Sequence, residues 1–181
     1  MRTLVVYESM YGNTHAIAEA IADGVRADGE ARVVPVRDAA DELVAWADLV
    51  IVGGPTHAHG MTSPGSRKSA VETAAKPDGW NQLTLDPAAD GAGIREWLEA
   101  LGAGNGKRAA AFDTRVHGPA LLTGRASSGI AKGLRNHGFK LVAGPESFLV
   151  DMHSRLMTGE QERATRWGAG LVVDLVPADS R

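Results

Sequence analysis

The sequence predicts an α/β protein built on one doubly wound, five-stranded parallel sheet with helices on both faces. Three observations carry the prediction. Five apolar runs are separated by segments of helical periodicity. The first, third and fourth runs lack polar alternation, as strands buried on both faces do. Proline interrupts only the second and fifth runs, which reads as an edge strand or a strand end in the second and as an edge or a bulge in the fifth.

The runs are TLVVY (3–7), ARVVPV (31–36), DLVIVGG (48–54), RAAAF (108–112) and FKLVAGPESFLV (139–150), the last broken at Gly144-Pro145. Between them, Ile17, Ile21 and Val25 recur every four residues after GNT. Ser63 followed by Pro64 reads as an N-cap with proline in the first turn, opening a helix that carries Ala70, Val71 and Ala74. Ile94, Trp97, Leu98 and Leu101 form an amphipathic stripe, and Ile130 with Leu134 a shorter one that stops near Gly138. Ser127 and Ser128 read as the cap of that shorter helix. Thr158 with Gln161 reads as a capping box for a last helix whose apolar face is Ala164, Trp167, Leu171 and Leu175. Right-handed crossovers between such strands give the sheet order 2-1-3-4-5.

At 181 residues the chain suits a single domain over 1–181. An insertion lies between strands 3 and 4, at about 76–93 (KPDGWNQLTLDPAADGAG); it is rich in turn residues yet contains Trp80, Leu83 and Leu85. A formal net charge of −3 and the lack of a basic patch argue against a nucleic-acid partner. The same small charge steers basic partners only weakly. With no cysteine, disulfides, thiolate metal sites and Cys nucleophiles are excluded. No stretch reads as a signal peptide or a membrane span, so a cytoplasmic protein is expected.

Ligands of open parallel sheets bind beyond the carboxyl ends of the strands, where the strand order reverses. Three loops begin there. In the first, SMYGNT, Ser9, Asn13 and Thr14 offer side-chain donors, Gly12 permits a tight turn, and the following helix start presents free N–H groups. The loop contains no Lys or Arg, so an anion there would be held by neutral donors, which suits a phosphate monoester. A plain helix cap by Asn13 or Thr14 is the simpler reading of the same residues. The second loop, GGPTHAHGM, carries His57 and His59, which could stack on or donate to a planar ring, be simply solvated, or bind metal with Asp113 or His117. The third, FDTRVHGPALLTGRASSG, brings Asp113, Thr114, Arg115 and His117. GAGNGK (102–107) is neither a P-loop nor a dinucleotide fingerprint, because it precedes a strand and its lysine is followed by Arg108.

Taken together and in order, YESMYGNTHAIAEAIADG, GGPTHAHG and FDT resemble the three flavin loops of the flavodoxin family. The similarity runs from residue 3 to about 61 and resumes from about 107 to 176. It implies a flavodoxin-like domain holding FMN non-covalently. The resemblance puts the phosphate on Ser9, Met10, Tyr11, Gly12, Asn13 and Thr14. It puts the ring between Pro55, Thr56, His57, Ala58, His59 and Gly60 on one side and Asp113, Thr114, Arg115 and His117 on the other. The YxSMYG form is also similar to flavodoxin-fold NAD(P)H:quinone reductases and protoporphyrinogen dehydrogenases. The expected function is electron transfer to a redox partner protein. The alternatives are an FMN-dependent oxidoreductase acting on a quinone-like acceptor or a porphyrinogen, and an interaction module without flavin. The family's usual Trp or Tyr beside the ring is missing from the second and third loops. His57, His59, Arg115 and His117 are expected instead to favour negative charge on the reduced ring. The insertion is expected to serve as a partner or homo-oligomer surface, or as a lid.

Overall fold

The computed structural model describes residues 1–57, 59–76 and 83–173. Its strands are β1 (Arg2–Tyr7), β2 (Glu30–Pro35), β3 (Leu49–Pro55), β4 (Arg108–Val116), β5 (Lys140–Leu141) and β6 (Glu146–Val150). The helices are α1 (Asn13–Arg26), α2 (Asp41–Trp46), α3 (Pro64–Ala74), α4 (Ile94–Ala100), α5 (Ala120–Thr123), α6 (Ala126–Asn136) and α7 (Glu160–Val173). The sheet is parallel throughout, in the order β2-β1-β3-β4-β5, with β6 also paired to β4.

The fifth strand is therefore two segments on one edge. Arg108 and Ala109 face Lys140 and Leu141, and pairing resumes at Phe112 opposite Glu146. The Gly144-Pro145 break removes a backbone donor and lets the chain leave the ladder and return. Pro35 lies at the end of β2, an edge strand, as its missing N–H demands.

Successive residues of the central strands feed opposite layers. Leu4, Val6, Val50, Val52, Ala109 and Ala111 pack against α2, α4 and α6 through Val44, Ile94, Leu98, Ile130 and Leu134. Val5, Tyr7, Leu49, Ile51, Ala110 and Phe112 pack against α1 and α7 through Ile17, Ile21, Val25, Ala164 and Leu171. Phe112, Phe148 and Trp167 meet edge to face at centroid separations of 6.1–6.4 Å. Two glycines let α1 and α7 touch along their backbones. A Cβ on Gly24 would lie 2.0 Å from the Thr165 carbonyl oxygen, and one on Gly168 would lie 2.2 Å from that of Ile21.

Three expectations need correction. The apolar run of β4 ends at Phe112, but the strand continues to Val116, because β6 supplies backbone partners for Asp113 through Val116. Helix α6 starts at Ala126 and takes its cap from a distant strand instead of from Ser127 or Ser128: the Asp113 carboxylate accepts the Ser127 amide at 2.8 Å. Helix α7 starts at Glu160, so Thr158 is not its N-cap; the Glu160 carboxylate instead accepts the Leu149 amide at 2.7 Å and pairs with Arg163. Trp80 and Leu175 lie outside the described residues.

The segment between β3 and β4 folds back over the end of β1. Glu8, buried just past β1, accepts from the Thr62 hydroxyl and, at 2.9 Å, from the Ile94 amide. Arg67 on α3 lies 4.0 Å from Glu8 and 3.1 Å from Glu96, and Glu96 also accepts the Gly93 amide. This group fastens α3 and α4 to the sheet. Burial raises the Glu96 carboxyl, but the Arg67 guanidinium and the Gly93 amide outweigh it and hold the group below its ordinary value.

Two outcomes follow from this packing. Gly168→Ala should destabilise the fold by about 1–3 kcal/mol, the range for overpacking. Alanine alone would add up to about 1 kcal/mol of helix propensity, so a net loss in a denaturant titration reports the α1–α7 contact. Because Glu96 is depressed in the folded state, its contribution is present above the ordinary glutamate range and is lost as pH falls through and below it. A pH series of melting temperatures should therefore fall less steeply on the acid side for Glu96→Gln than for the parent.

Candidate functional site

The parallel register brings three strand ends to the same side of the sheet, each reaching a little further than the last. Tyr7 pairs with Gly53, Gly54 with Asp113 and Pro55 with Thr114. A cavity of about 350 Å³ opens beyond them, within the range of small-molecule sites. Its walls come from the loop after β1, the ends of β3 and β4, one face of α3, and the segment after β6.

The first loop turns through Gly12 at φ 85°, in the left-handed region, and a Cβ there would meet nothing within 4 Å. Glycine is therefore required by the backbone angle and not by crowding. The Gly12 amide donates to the Ser9 hydroxyl at 3.1 Å. The first-turn amides of Asn13 and Thr14 have no intrahelical acceptor, and no hydrogen bond from them occurs among the described residues. Three side chains of the loop are tied to other parts of the fold. The Thr14 and Thr114 hydroxyls share a buried hydrogen bond of 2.7 Å, joining the start of α1 to β4. The Asn13 side-chain amide donates to the Ser154 carbonyl at 2.7 Å, and the Tyr11 hydroxyl to the Ala70 carbonyl at 3.0 Å. Burial pushes the Tyr11 phenol above its ordinary range, so it stays a neutral donor.

The insertion braces this loop from behind. The Asp86 amide donates to the Met10 carbonyl at 2.9 Å. Its buried carboxylate lies 3.2 Å from His15 Nδ1 and accepts the Ala88 amide at 2.8 Å. The His15 ring stacks on Tyr7 at 4.4 Å. Burial, reinforced by the Asp86 carboxylate, pushes the Tyr7 phenol up to about 12.

The second loop is a tight turn in which the His57 amide donates to the Gly60 carbonyl and the Gly60 amide to the His57 carbonyl, at 2.9 and 3.0 Å. Thr56 ties it down, donating its amide to the Thr114 carbonyl and accepting the Ala126 amide on its hydroxyl. In the third segment, Arg115 Nη1 donates to the Gly118 carbonyl and the Thr123 hydroxyl, both at 2.8 Å, while its buried Nε has no partner among the described residues.

Of the residues singled out in the sequence, Ser9, Met10, Tyr11, Asn13, Thr14, Pro55, Thr56, His57, Thr114 and Arg115 line the cavity. Gly12 makes the turn between Tyr11 and Asn13 and does not itself line the cavity. His59, Gly60, Asp113 and His117 do not line it. Asp113 is fully buried beneath α6, and His59 and His117 are exposed on its outer rim. Ala58 lies outside the described residues. No three His, Asp or Glu side chains gather in a metal-binding group among the described residues. No helix among them is long and apolar enough to cross a membrane.

Sequence reading missed the far wall: Ser66, Ser69, Ala70 and Thr73 of α3, with Leu83, Val150 and Ser154. Positions 66, 69, 70 and 73 share one helical face, and that run of small polar side chains was the available signal. Nearly half of the lining residues are Ser or Thr. The chemistry offered is thus dense in neutral donors and acceptors around a backbone anion nest, with one guanidinium at the side.

The family model described as Flavodoxin matches residues 5–112. A curated flavodoxin of Aquifex aeolicus (strain VF5) is 43% identical over 58 residues, 31% of each chain, so the match spans about a third of that relative's length. Among solved structures, a flavodoxin from the domain Archaea superposes with a TM-score of 0.65 at 22% identity, covering 97% of this chain and 99% of that one. Oxidised flavodoxin 1 of Bacillus cereus gives 0.66 at 18% identity over 97% and 100%. A flavodoxin, WrbA-like protein of Agrobacterium tumefaciens gives 0.59 at 20% over 96% of each chain. These structural likenesses concern the fold, while the family model spans the first two loops and reaches the end of the apolar run in β4; on that ground the chain belongs to the flavodoxin family.

Proposed function

We propose that the chain binds FMN and carries electrons between a reductase and an acceptor protein. The observation that supports this best is the loop at residues 9–14: a left-handed Gly12, first-turn amides without partners among the described residues, and hydroxyl side chains, with no cation in the loop. A terminal phosphate suits such a nest, because neutral donors can surround all its oxygens. On this reading the ring occupies the cavity beyond it, whose lining includes His57, Arg115 and one face of α3.

When bound, the flavin supplies one- and two-electron redox chemistry. The chain's own residues bind and orient it. Asn13, Thr14 and Ser9 hold the phosphate end, and their ties to Ser154, Thr114 and Gly12 fix the nest before the ligand arrives. The Arg115 guanidinium, held by Gly118 and Thr123, places a fixed positive charge at the cavity wall. Such a charge favours electron density on the reduced ring by charge pairing. Of the four groups expected to do this, Arg115 and His57 border the cavity, while His59 and His117 stand outside it.

Absorbance titration should show FMN binding more tightly than riboflavin. Thr14→Ala and Asn13→Ala should each weaken FMN by about 1–3 kcal/mol, the range for hydrogen bonds to a charged group, and leave riboflavin nearly unchanged. Equal affinities for the two flavins in the parent chain would remove the phosphate from this nest. In a redox titration of loaded protein, Arg115→Gln should move the midpoint to a more negative potential; no movement would take the guanidinium away from the ring. NAD(P)H should not be oxidised in steady state with a quinone as acceptor, and sustained turnover would replace the carrier reading with an enzymatic one.

A further inference from the structure

The stretches that frame the cavity mouth, 55–57 with 59–61, 115–125 and 150–157, have a composition unlike the rest of the chain. They hold four of its six histidines, His57, His59, His117 and His153, together with Arg115, Arg125 and Arg155. Their single carboxylate is Asp151, and its Oδ1 is turned back onto the His153 and Arg155 amides at 2.8 and 2.9 Å. Elsewhere Arg2, Arg26, Arg32, Arg37, Arg67 and Arg163 each have a carboxylate partner, while among the described residues the scattered Arg95, Arg108, Arg135 and Arg166 have none. Among the described residues, none of the three rim arginines has one. Arg115 and Arg125 are anchored to carbonyls and hydroxyls, which hold the guanidinium in place and leave its charge uncancelled.

The segments form one continuous surface. The Thr56 amide donates to Thr114, the backbone of His59 lies against Gly124, and the His117 amide donates to the Val150 carbonyl at 2.9 Å. Apolar side chains stand among the charges. Leu121 is 92% exposed and Leu122 68%, both on the short helix α5, and Met152 is 79% exposed in the segment that also gives Ser154 to the cavity. A chain of net charge −3 thus concentrates unpaired positive charge and protruding apolar groups around one opening.

The geometry points to this rim as the docking face for a protein partner whose own surface is carboxylate-rich around an apolar centre. Charge complementarity selects the partner. A basic partner, which the net charge alone would attract, meets like charge here, whereas an acidic one is steered to the opening and then buries Leu121, Leu122 and Met152. The inference deepens the carrier reading by naming the chemistry of its partner, but the surface itself does not require flavin.

The test has a flavin-free arm and a loaded arm. In the first, the full chain without flavin is titrated into a fluorescein-labelled amphipathic peptide with Glu on one face and Leu on the other, and into the same peptide with Lys for Glu. Anisotropy should show the Glu peptide binding at least about tenfold tighter at low salt, with the difference shrinking as salt screens it. Leu121→Asp and Arg155→Glu, both at exposed positions, should each weaken it several-fold without changing the melting temperature. In the second, the reduced FMN-loaded protein gives up electrons one at a time to hexacyanoferrate(III), which becomes hexacyanoferrate(II). That rate should fall as salt rises, whereas an opening governed by the overall negative charge would make it rise.

Equal or tighter binding of the Lys peptide, or a rate that rises with salt, overturns the proposal. So does sedimentation showing a dimer that Leu121→Asp dissolves, which would assign the face to a second copy. If FMN fails to bind while the Glu peptide behaves as expected, the carrier reading falls and the docking face stands.

Discussion

Everything at the site depends on the parallel pairing of three strands. Tyr7 at the end of β1 lies opposite Gly53, and β3 and β4 run on past it to pair Pro55 with Thr114, so three loops distant in sequence leave the sheet on the same side. The hydrogen bond between the Thr14 and Thr114 hydroxyls then locks the start of the first crossover helix to the end of the fourth strand. Since this bond is buried, either hydroxyl alone would be an unsatisfied polar group, and the two positions are coupled. The first loop has a fixed shape because its side chains are held from several directions.

The extra segment between β3 and β4 serves that same arrangement. It gives the cavity a wall through α3, supports the first loop from behind through Asp86, and is itself fastened by the buried Glu8, Arg67 and Glu96 group. A charged group in such a position is stable only when fully partnered. Here the Thr62 hydroxyl, the Ile94 amide and the Gly93 amide complete it. The segment thus adds a side to the site without altering the sheet order.

Cavity and rim divide the chemistry. Inside, hydroxyls and amides predominate, and Arg115 is a single positive charge at the wall. Outside, histidines and arginines without carboxylate partners surround exposed leucines and a methionine. Mostly neutral groups line the cavity, and the charged side chains stand at its mouth.

By itself the sequence determined the sheet and the first loop. Buried parallel strands demand unbroken apolar runs, proline stays out of the interior of central strands, and a left-handed turn into a helix needs a glycine; each demand is local and leaves a mark within a few residues. Only the tertiary structure decided that Asp113 caps α6 beneath the surface and that β4 runs on through polar residues. It also decided that a face of α3 lines the cavity, and that His59 and His117 stand on the rim instead of against the opening. These are choices of partner between segments far apart in the chain. A carboxylate or a serine carries no local sign of whether it will meet a helix amide, a cavity or water, because that is fixed by which elements the packed sheet brings beside it.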